Sequence, residues 1–400
     1  MKDKKLDVQP LDGIQVLDLT RLVAGGMLGM LLGDFGAEVI KVEQPGVGDP
    51  LRTWKLNGRS FWWQVYGRNK RTITLNLKSE GGQKLLKRLV ERSDLLLENF
   101  IPGTMERLGF GWEKLHKWNS KLVLVRVSGW GQTGPKAKRP GFGTLVEAAS
   151  GFAMMNGEGD GPPIVPAFPL ADMVTALAAS NAAMYALYHR EHVSGEGQEI
   201  DASLFECLFT LLGPMAAEYE AFDAIRVRQG SKSFFSAPRG TYQTSDGAWV
   251  AVSASTPKMA KTFLIAYGLE SLLENHRFAT NEARVQNGKA LDAHINEAIG
   301  SKTLEENLRI IEENHITAAP VQSIADIERD PHWQARQLTT QVEYDGGTLR
   351  MQNVFPHLME TPGKIRWAGK QMGADNQAIY CEKLGLSHDE LDRLQEAGII

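Results

Sequence analysis

An aspartate near the middle of the chain, Asp172, has the setting that most suggests chemistry. It follows a stretch rich in glycine and proline (residues 156–169) and opens a long alanine-rich segment with helical character. Pro169 disfavours helix in the residue before it, so the helix is expected to begin just after this proline. Asp172 then lies in the first turn, where unpaired backbone N–H groups and the helix dipole favour negative charge. Spacing alone favours a helix cap, because Asp is a preferred capping residue. The alternative is a nucleophile.

The elements that must position this aspartate alternate between strand and helix. Predicted strands cover residues 14–19, 38–43, 72–77, 94–97 and 122–127, and helical segments lie between them. This alternation predicts an α/β fold with a parallel sheet. Ligands bind such sheets beyond the carboxyl ends of the strands. Asn99 and Phe100 directly follow the strand at 94–97, so we expect them in that crevice.

The first turn of this sheet carries the spacing A-x-G-x-x-G at residues 24–29, and Glu43 ends the second strand. The pattern is a degenerate form of the dinucleotide-binding fingerprint, with Glu43 where a ribose hydroxyl would be held. A nicotinamide-dependent dehydrogenase is therefore one alternative function. The other interpretation is that these small residues only let the helix pack closely on the sheet.

A basic cluster, residues 68–71 (R-N-K-R), precedes the third predicted strand. It is either a solvated loop or a phosphate-binding site, to which the planar fork of arginine is well suited.

The amino-acid composition limits the classes of protein to which this chain can belong. The chain has 400 residues, 42% hydrophobic and 23% charged, which predicts more than one domain of an ordinary globular protein. A net charge of −4 argues against nucleic-acid binding. The sequence has no long uncharged apolar run and no secretory pattern at its charged start, so we expect a cytoplasmic protein without a membrane partner. Two cysteines, Cys207 and Cys381, offer neither a disulfide framework nor a metal site.

Several motifs in the chain resemble the class III CoA-transferases, the family of the formyl-CoA and carnitine CoA-transferases. These are G-W-G-Q-T-G-P (129–135), E-N-F-x-P-G…R (98–107), G-E-G-Q-E-I-D (195–201) and the segment containing Asp172. The resemblance covers nearly the whole chain. It implies that Asp172 is the catalytic nucleophile, forming an acyl anhydride and then an aspartyl-CoA thioester. It also implies CoA contacts from Val23, Ala24, Arg71, Leu75, Lys78, Asn99, Phe100, Ile101, Arg107 and Arg139.

Organisation and partners also follow from this resemblance. It implies a Rossmann-like large domain (residues 1–222 and 326–400), a linker (223–233) and an inserted smaller α+β domain (234–325). Two chains are expected to form an interlocked homodimer. The substrates would be an acyl-CoA, such as succinyl-CoA, and a free carboxylic acid, with no permanently bound cofactor and no metal.

Departures from the family's patterns limit which of the family's reactions we expect this chain to catalyse. The racemase branch has a histidine where this chain has Phe142, so a 2-methylacyl-CoA racemase would lack half of its acid–base pair. The formyl-CoA:oxalate enzymes carry glutamine at Val23 and glutamate at Gly143, which argues against oxalate as a substrate. A non-catalytic CoA-binding relative is a further alternative, but the intact Asp172 argues against it.

Overall fold

Six parallel strands form the central sheet of the protein, whose computed structural model describes residues 8–400. They are β1 (Gln15–Asp18), β2 (Glu38–Glu43), β3 (Lys70–Thr74), β4 (Leu95–Glu98), β5 (Val123–Ser128) and β6 (Glu199–Ser203). Their order across the sheet is β3-β2-β1-β4-β5-β6, and every neighbouring pair is parallel. The order reverses between β1 and β4, so the loops after these two strands diverge and leave a crevice at the carboxyl edge.

Helices cover both faces of this sheet, which is why its strands are almost continuous apolar runs. On one face, Leu28 and Ala183 from two helices pack with Val125 of β5. On the other, Leu86 packs with Leu17 of β1. The helices up to β6 and just beyond it are α1 (Leu22–Asp34), α2 (Phe61–Tyr66), α3 (Glu80–Val90), α4 (Thr104–Arg107), α5 (Trp112–Trp118), α6 (Gly143–Ala149), α7 (Phe152–Met155), α8 (Leu170–His189) and α9 (Leu204–Thr210).

The chain divides into two units. The first holds the residues up to Phe152 together with Val165–Ala216 and Gln337–Ile400, and the second holds Ala153–Ile164 and Ala217–Arg336. Residues 153–164, placed in the large domain by the sequence analysis, therefore belong to the second unit. Backbone hydrogen bonding accounts for this, because the N–H of Gly230 donates to the carbonyl of Gly157 at 2.9 Å.

The second unit contains a three-stranded antiparallel sheet of β7 (Arg239–Gln243), β8 (Trp249–Ser253) and β9 (Ala318–Pro320). A tight turn containing Asp246 and Gly247, a pair typical of hairpins, joins β7 to β8, and Gly247 has a φ of +82°, a conformation that favours glycine. Phe263 and Ile295 lie in its core. The helices in this part are α10 (Met215–Phe222), α11 (Pro257–Ala266), α12 (Asn281–Gln286), α13 (Gly288–Gly300), α14 (Leu304–Glu313), α15 (Ile324–Arg329) and α16 (Pro331–Ala335).

The C-terminal segment returns to the first unit. It forms a hairpin of β10 (Thr339–Tyr344) and β11 (Gly347–Gln352), followed by a π-helical turn (Ala378–Lys383) and α17 (His388–Glu396). The Tyr380 hydroxyl donates to the carbonyl of Thr74 in β3 at 2.7 Å. The spacing S-x-x-E at residues 387–390 is typical of a capping box, and Ser387 and Glu390 form one at the start of α17. The N- and C-terminal parts of the chain thus share one core.

Helix α8 with its π-helical continuation, Leu170–Ser194, has a length and mean hydropathy (1.2) that would also suit a membrane span. One of its faces is buried against the sheet and α1, through Ala176, Ala179, Ala183 and Ala186. The buried helix of a folded core has the same composition, and this is the role that α8 has here.

Candidate active site

Asp172 is the third residue of α8, and it does not cap that helix. Pro169 occupies the capping position, and no side chain accepts a hydrogen bond there. The N–H of Ala171 instead donates to the carboxylate of Glu147 at 3.0 Å. Glu147 thus satisfies a backbone donor that a capping side chain would otherwise take. This leaves the Asp172 carboxylate available for another role.

The surroundings of Asp172 shift its acidity. Burial raises the pKa of its carboxyl group to about 6, although the nearby backbone N–H of Ala24 opposes this by favouring the charged form. The negative charge of Glu147 adds to the increase. A carboxylate with this pKa is mainly ionised at neutral pH and more basic than an ordinary aspartate, which suits a nucleophile that needs no separate general base.

Gly143 leaves the space that the Asp172 carboxylate occupies. A β-carbon built on Gly143 would lie 2.2 Å from Oδ2 of Asp172, closer than any real contact allows. Gly143 is the first residue of α6, and Glu147 lies one helical turn further along. Residues four apart share a helix face, so α6 presents both toward the start of α8. Glu147 was not among the predicted site residues, although its spacing of four from Gly143 is a signal that could have revealed it.

The loop between β1 and α1 brings Ala24 to the aspartate. Val23 and Ala24 are buried in the first turn of α1, and Leu22 before them has a left-handed φ of +63°. The N-terminal ends of α1 and α8 therefore meet near the Asp172 carboxylate. Both helix ends favour negative charge, so they can stabilise a carboxylate or an oxyanion there.

A cavity of about 320 Å³ opens beyond the carboxyl ends of β1 to β4. Three predicted CoA-binding residues line it: Leu75, Lys78 and Phe100. Thr20 and Arg21 also line it, and the Arg21 guanidinium lies 5.2 Å from the ring centre of Phe100. Asp172 is not in its lining, and the β1–α1 loop connects the two places. Lining residues that the sequence analysis did not select include Lys41, Gln44, Val47, Asn76 and Thr104.

Two other predicted contacts lie close to this cavity. Arg107 is on α4 and donates to the hydroxyl of Thr104, a lining residue, at 2.8 Å. Ile101 follows Phe100 and is 57% exposed. Both side chains can therefore reach a ligand that extends out of the cavity.

The remaining predicted contacts are placed differently. Asn99 uses its side-chain amide on the backbone of Arg21, accepting at 2.8 Å and donating at 2.6 Å. Arg139 lies on the surface beyond β5, outside the cavity lining. Arg71 is at the amino-terminal half of β3 and faces Glu38 at 3.7 Å, so the structure does not bring it to the carboxyl edge.

The other basic residues of the cluster, Arg68 and Lys70, are buried in ion pairs and are not available to bind phosphate groups. Arg68 forms a buried ion pair with Asp34 at 2.6 Å, and Lys70 forms one with Asp18 at 2.8 Å. The physical reason is the direction of β3, whose amino end carries these residues into the protein. The phosphate-binding interpretation of residues 68–70 is therefore wrong.

Glu43, the acidic residue of the degenerate dinucleotide fingerprint, is also already paired within the fold. Glu43 is buried, and its two carboxylate oxygens accept from Arg52 at 2.7 Å each. One of them also accepts from the N–H of Asp49 at 2.8 Å. Gly25 packs against Thr20, because a β-carbon there would lie 2.0 Å from the Thr20 side chain. This glycine serves close packing.

No group of three or more His, Cys, Asp or Glu side chains within residues 8–400 has the arrangement of a metal site.

Comparison with known proteins decides the family. The model of CoA-transferase family III matches residues 11–376. The chain belongs to CoA-transferase family III. It is therefore a transferase of CoA, and its βαβ turn is part of that enzyme rather than of a dehydrogenase.

Relatives of this family III chain extend over its full length. It is 40% identical to the succinyl-CoA–D-citramalate CoA-transferase of Chloroflexus aurantiacus, covering 98% of both chains. It is 37% identical to the beta subunit of the succinyl-CoA–L-malate CoA-transferase of the same organism, again over 98% of both. Among solved structures, a CaiB/BaiF family protein from Brucella suis superposes with a TM-score of 0.83 at 31% identity, over 94% of this chain and 99% of that one.

Proposed function

We propose that this CoA-transferase moves CoA from succinyl-CoA to a dicarboxylic acid through covalent intermediates on Asp172. The observation that carries the proposal is the Asp172 carboxylate itself, partly buried at the start of α8 with the N–H of Ala24 directed at it. Relatives of 40% and 37% identity are named for succinyl-CoA with D-citramalate and with L-malate. These names support the donor and the class of acceptor.

The first half of the reaction releases the donor acid. An oxygen of Asp172 attacks the thioester carbon of succinyl-CoA, the C–S bond breaks, and CoA leaves as a thiolate. The thiolate then attacks the aspartyl carbon of the resulting anhydride. The bond between the aspartyl carbon and the bridging oxygen breaks, so succinate leaves with that oxygen and an aspartyl-CoA thioester remains.

The second half runs the same steps in reverse with the acceptor. A carboxylate oxygen of the acceptor attacks the aspartyl carbon and expels the CoA thiolate, forming a second anhydride. The thiolate attacks the acceptor's acyl carbon, and Asp172 leaves as a carboxylate. No proton is consumed in the cycle. This is why a single carboxylate without a histidine partner is sufficient.

Each attack creates negative charge on a carbonyl oxygen near Asp172. The Ala24 N–H is a donor fixed by the backbone, and such donors stabilise oxyanions strongly when they need no rearrangement. We assign this role to Ala24. The removal of one such donor typically lowers kcat by about 100- to 1,000-fold.

CoA binding is assigned to the cavity at the carboxyl edge of the sheet. Phe100 and Leu75 provide apolar contact area, and Lys78 provides a positive charge for a phosphate. Arg107 extends this charge at the mouth through α4.

The assembly is proposed to be a homodimer. Tyr185 and Tyr188 are 72% and 67% exposed on the face of α8 opposite its buried alanines. Exposed aromatic residues on a core helix are typical of an interface with another chain. One relative is named as a beta subunit, so pairing with a different chain is the alternative assembly.

The test of the mechanism is chemical trapping. Incubation with succinyl-CoA and hydroxylamine should convert the activated Asp172 carboxyl to a hydroxamate, which peptide mass spectrometry locates. The control is Asp172→Asn under the same conditions, where no hydroxamate should form. A hydroxamate at another residue, or none in an enzyme that transfers CoA, contradicts the covalent mechanism. A panel of dicarboxylates and monocarboxylates tests the acceptor class in parallel.

A further inference from the structure

The loop that leads to Ala24, the third residue of α1, is held by side chains from the surrounding strands and loops. The N–H of Thr20 donates to Oδ1 of Asp18 at 2.9 Å, and its hydroxyl donates to the same oxygen at 2.5 Å. The carbonyl of Thr20 accepts from the ammonium group of Lys41 in β2. Thr20 is fully buried. Its backbone is therefore fixed from both sides by charged groups.

The next two residues are held in the same way. Arg21 donates its N–H to Asn99 at 2.8 Å, and its carbonyl accepts from the Asn99 amide at 2.6 Å. The N–H of Leu22 donates to Oδ1 of Asp49 at 3.2 Å. Five backbone polar atoms of three consecutive residues thus bind side chains from four places in the sequence. A short surface loop does not need so many hydrogen bonds between its backbone and the side chains of other segments.

The charges behind this arrangement are buried and balanced. Lys41 lies 3.1 Å from Asp49 and 3.6 Å from Asp18, and Lys70 lies 2.8 Å from Asp18. Burial would raise the pKa of Asp18, but Lys41 and Lys70 outweigh it and hold that pKa below its usual value. Burial lowers the pKa of Lys70, although its pairing with Asp18 opposes this. Buried ion pairs are seldom more stabilising than apolar residues of the same volume, so their presence calls for another explanation.

That explanation lies in the conformation that the cluster maintains. Leu22 has a φ of +63°, a left-handed conformation that is strained for a residue with a branched side chain. Such strain persists only where the surroundings fix it, and it concentrates at functional sites. Two residues later, the N–H of Ala24 faces the Asp172 carboxylate. A relaxed Leu22 would turn this N–H away.

We infer that Asp18, Lys41, Asp49 and Asn99 form a positioning clamp, which holds the β1–α1 loop so that the Ala24 N–H points at Asp172. The clamp contains no catalytic residue, because its members contact the loop and not the reacting atoms. The inference rests on the proposed covalent role of Asp172. It assigns Asn99 a role other than CoA binding, since both ends of its amide are already bound to Arg21.

The clamp predicts a specific change in the variant Asn99→Ala. Misplacing the Ala24 N–H should lower kcat by about 10- to 100-fold, whereas the KM for succinyl-CoA should change little. The pH–rate midpoint should also rise, because this N–H favours the charged form of Asp172. Glu147, the charged side chain that acts on Asp172, is unchanged in the variant.

Three outcomes are distinguishable. A lower kcat with a raised pH midpoint supports the clamp. A raised KM for succinyl-CoA with an unchanged midpoint overturns it and makes Asn99 a CoA ligand. A lower kcat with an unchanged midpoint also overturns it, because this result shows only damaged folding. The absence of a hydroxamate on Asp172 in the wild-type enzyme overturns the covalent mechanism, whereas a hydroxamate there together with an unchanged midpoint in Asn99→Ala overturns the clamp alone.

A second pair of variants keeps the inference falsifiable if Asn99→Ala does not fold. Asp49→Asn retains an oxygen that can accept from Leu22 N–H, whereas Asp49→Ala does not. We expect Asp49→Ala to show the lowered kcat and raised midpoint, and Asp49→Asn to stay close to wild type in its midpoint. Equal midpoints in these two variants would overturn the clamp.

Discussion

Gly143 and Asp172 lie so close together that no side chain fits between them. A β-carbon on Gly143 would be 2.2 Å from the carboxylate oxygen of Asp172. The glycine does not have a left-handed φ, so space alone makes it necessary. The carboxylate position is therefore determined by a residue on a different helix as well as by the Ala24 N–H.

This relationship predicts that Gly143→Ala inactivates the enzyme without unfolding it. The added methyl group must displace the carboxylate, and a displacement of about 1 Å can cost about 100-fold in rate. Steady-state transfer assays and circular dichroism measure the two effects. Gly288→Ala is a matched control, because Gly288 also begins a helix and has open space around its α-carbon. A Gly143→Ala enzyme with wild-type kcat would contradict the placement of Asp172.

Asp172→Asn should abolish transfer and stabilise the fold at pH 8. Burial raises the pKa of Asp172 to about 6, so the ionised carboxylate destabilises the folded state above that pH. Around pH 3 and below, the group is protonated in both folded and unfolded chains, because its unfolded pKa is about 3.9, and its contribution vanishes. We expect a gain in the free energy of unfolding of about 1–3 kcal/mol at pH 8 and of at most about 0.5 kcal/mol near pH 4. Urea unfolding at both pH values measures it. Destabilisation at pH 8 would instead indicate a capping role.

The pH dependence of kcat should follow the ionisation of Asp172. Activity is expected to fall with decreasing pH through a midpoint near 6, because only the carboxylate attacks the thioester. Glu147→Gln should lower this midpoint, since it removes a negative charge that raises the pKa of Asp172 while keeping an acceptor for the Ala171 N–H. Initial rates measured between pH 4.5 and 8, at intervals of about half a pH unit, test both statements. A midpoint that rises in Glu147→Gln would be inconsistent with this electrostatic account.

The resemblance to the class III CoA-transferases implies a dimer that does not separate without unfolding, and the exposed face of α8 offers a surface for it. Tyr185 and Tyr188 are expected to become buried against a second copy, and an interlocked arrangement prevents dissociation of folded chains. Sedimentation at micromolar and nanomolar concentrations should give the same dimer mass. Mixing two differently tagged preparations should give no mixed dimers unless both are first unfolded. A stable folded monomer, or a requirement for a second kind of subunit, would refute the homodimer.

Transferase chemistry also predicts that the α-carbon of the acyl group stays untouched. Racemisation needs one group to remove the α-proton and another to return it from the opposite face. Phe142 is 66% exposed and has no titratable group, so it cannot be the partner of Asp172. A 2-methylacyl-CoA incubated with the enzyme in D₂O should gain no deuterium at the α-carbon. Deuterium incorporation at the rate of turnover would favour the racemase alternative.

The sequence by itself determined the local features of this protein. The strand predicted at residues 38–43 matches β2 (Glu38–Glu43), Asp172 lies in the first turn of a helix, and Ser387 and Glu390 form a capping box. These features depend on hydrophobic periodicity, proline stereochemistry and capping, which act between neighbouring residues. The family motifs added the transferase assignment.

Tertiary structure decided which distant residues meet. The strand predicted at 72–77 begins at Lys70, because the ion pair with Asp18 allows a lysine inside the sheet. The same burial removes the basic cluster from phosphate binding, and the direction of β3 leaves Arg71 away from the carboxyl edge. The parallel crossovers of this fold bring β1, β2 and the loop after β4 together around Thr20–Leu22. They place Ala24, Gly143 and Glu147 around Asp172 by packing between helices, which no pattern of adjacent residues specifies.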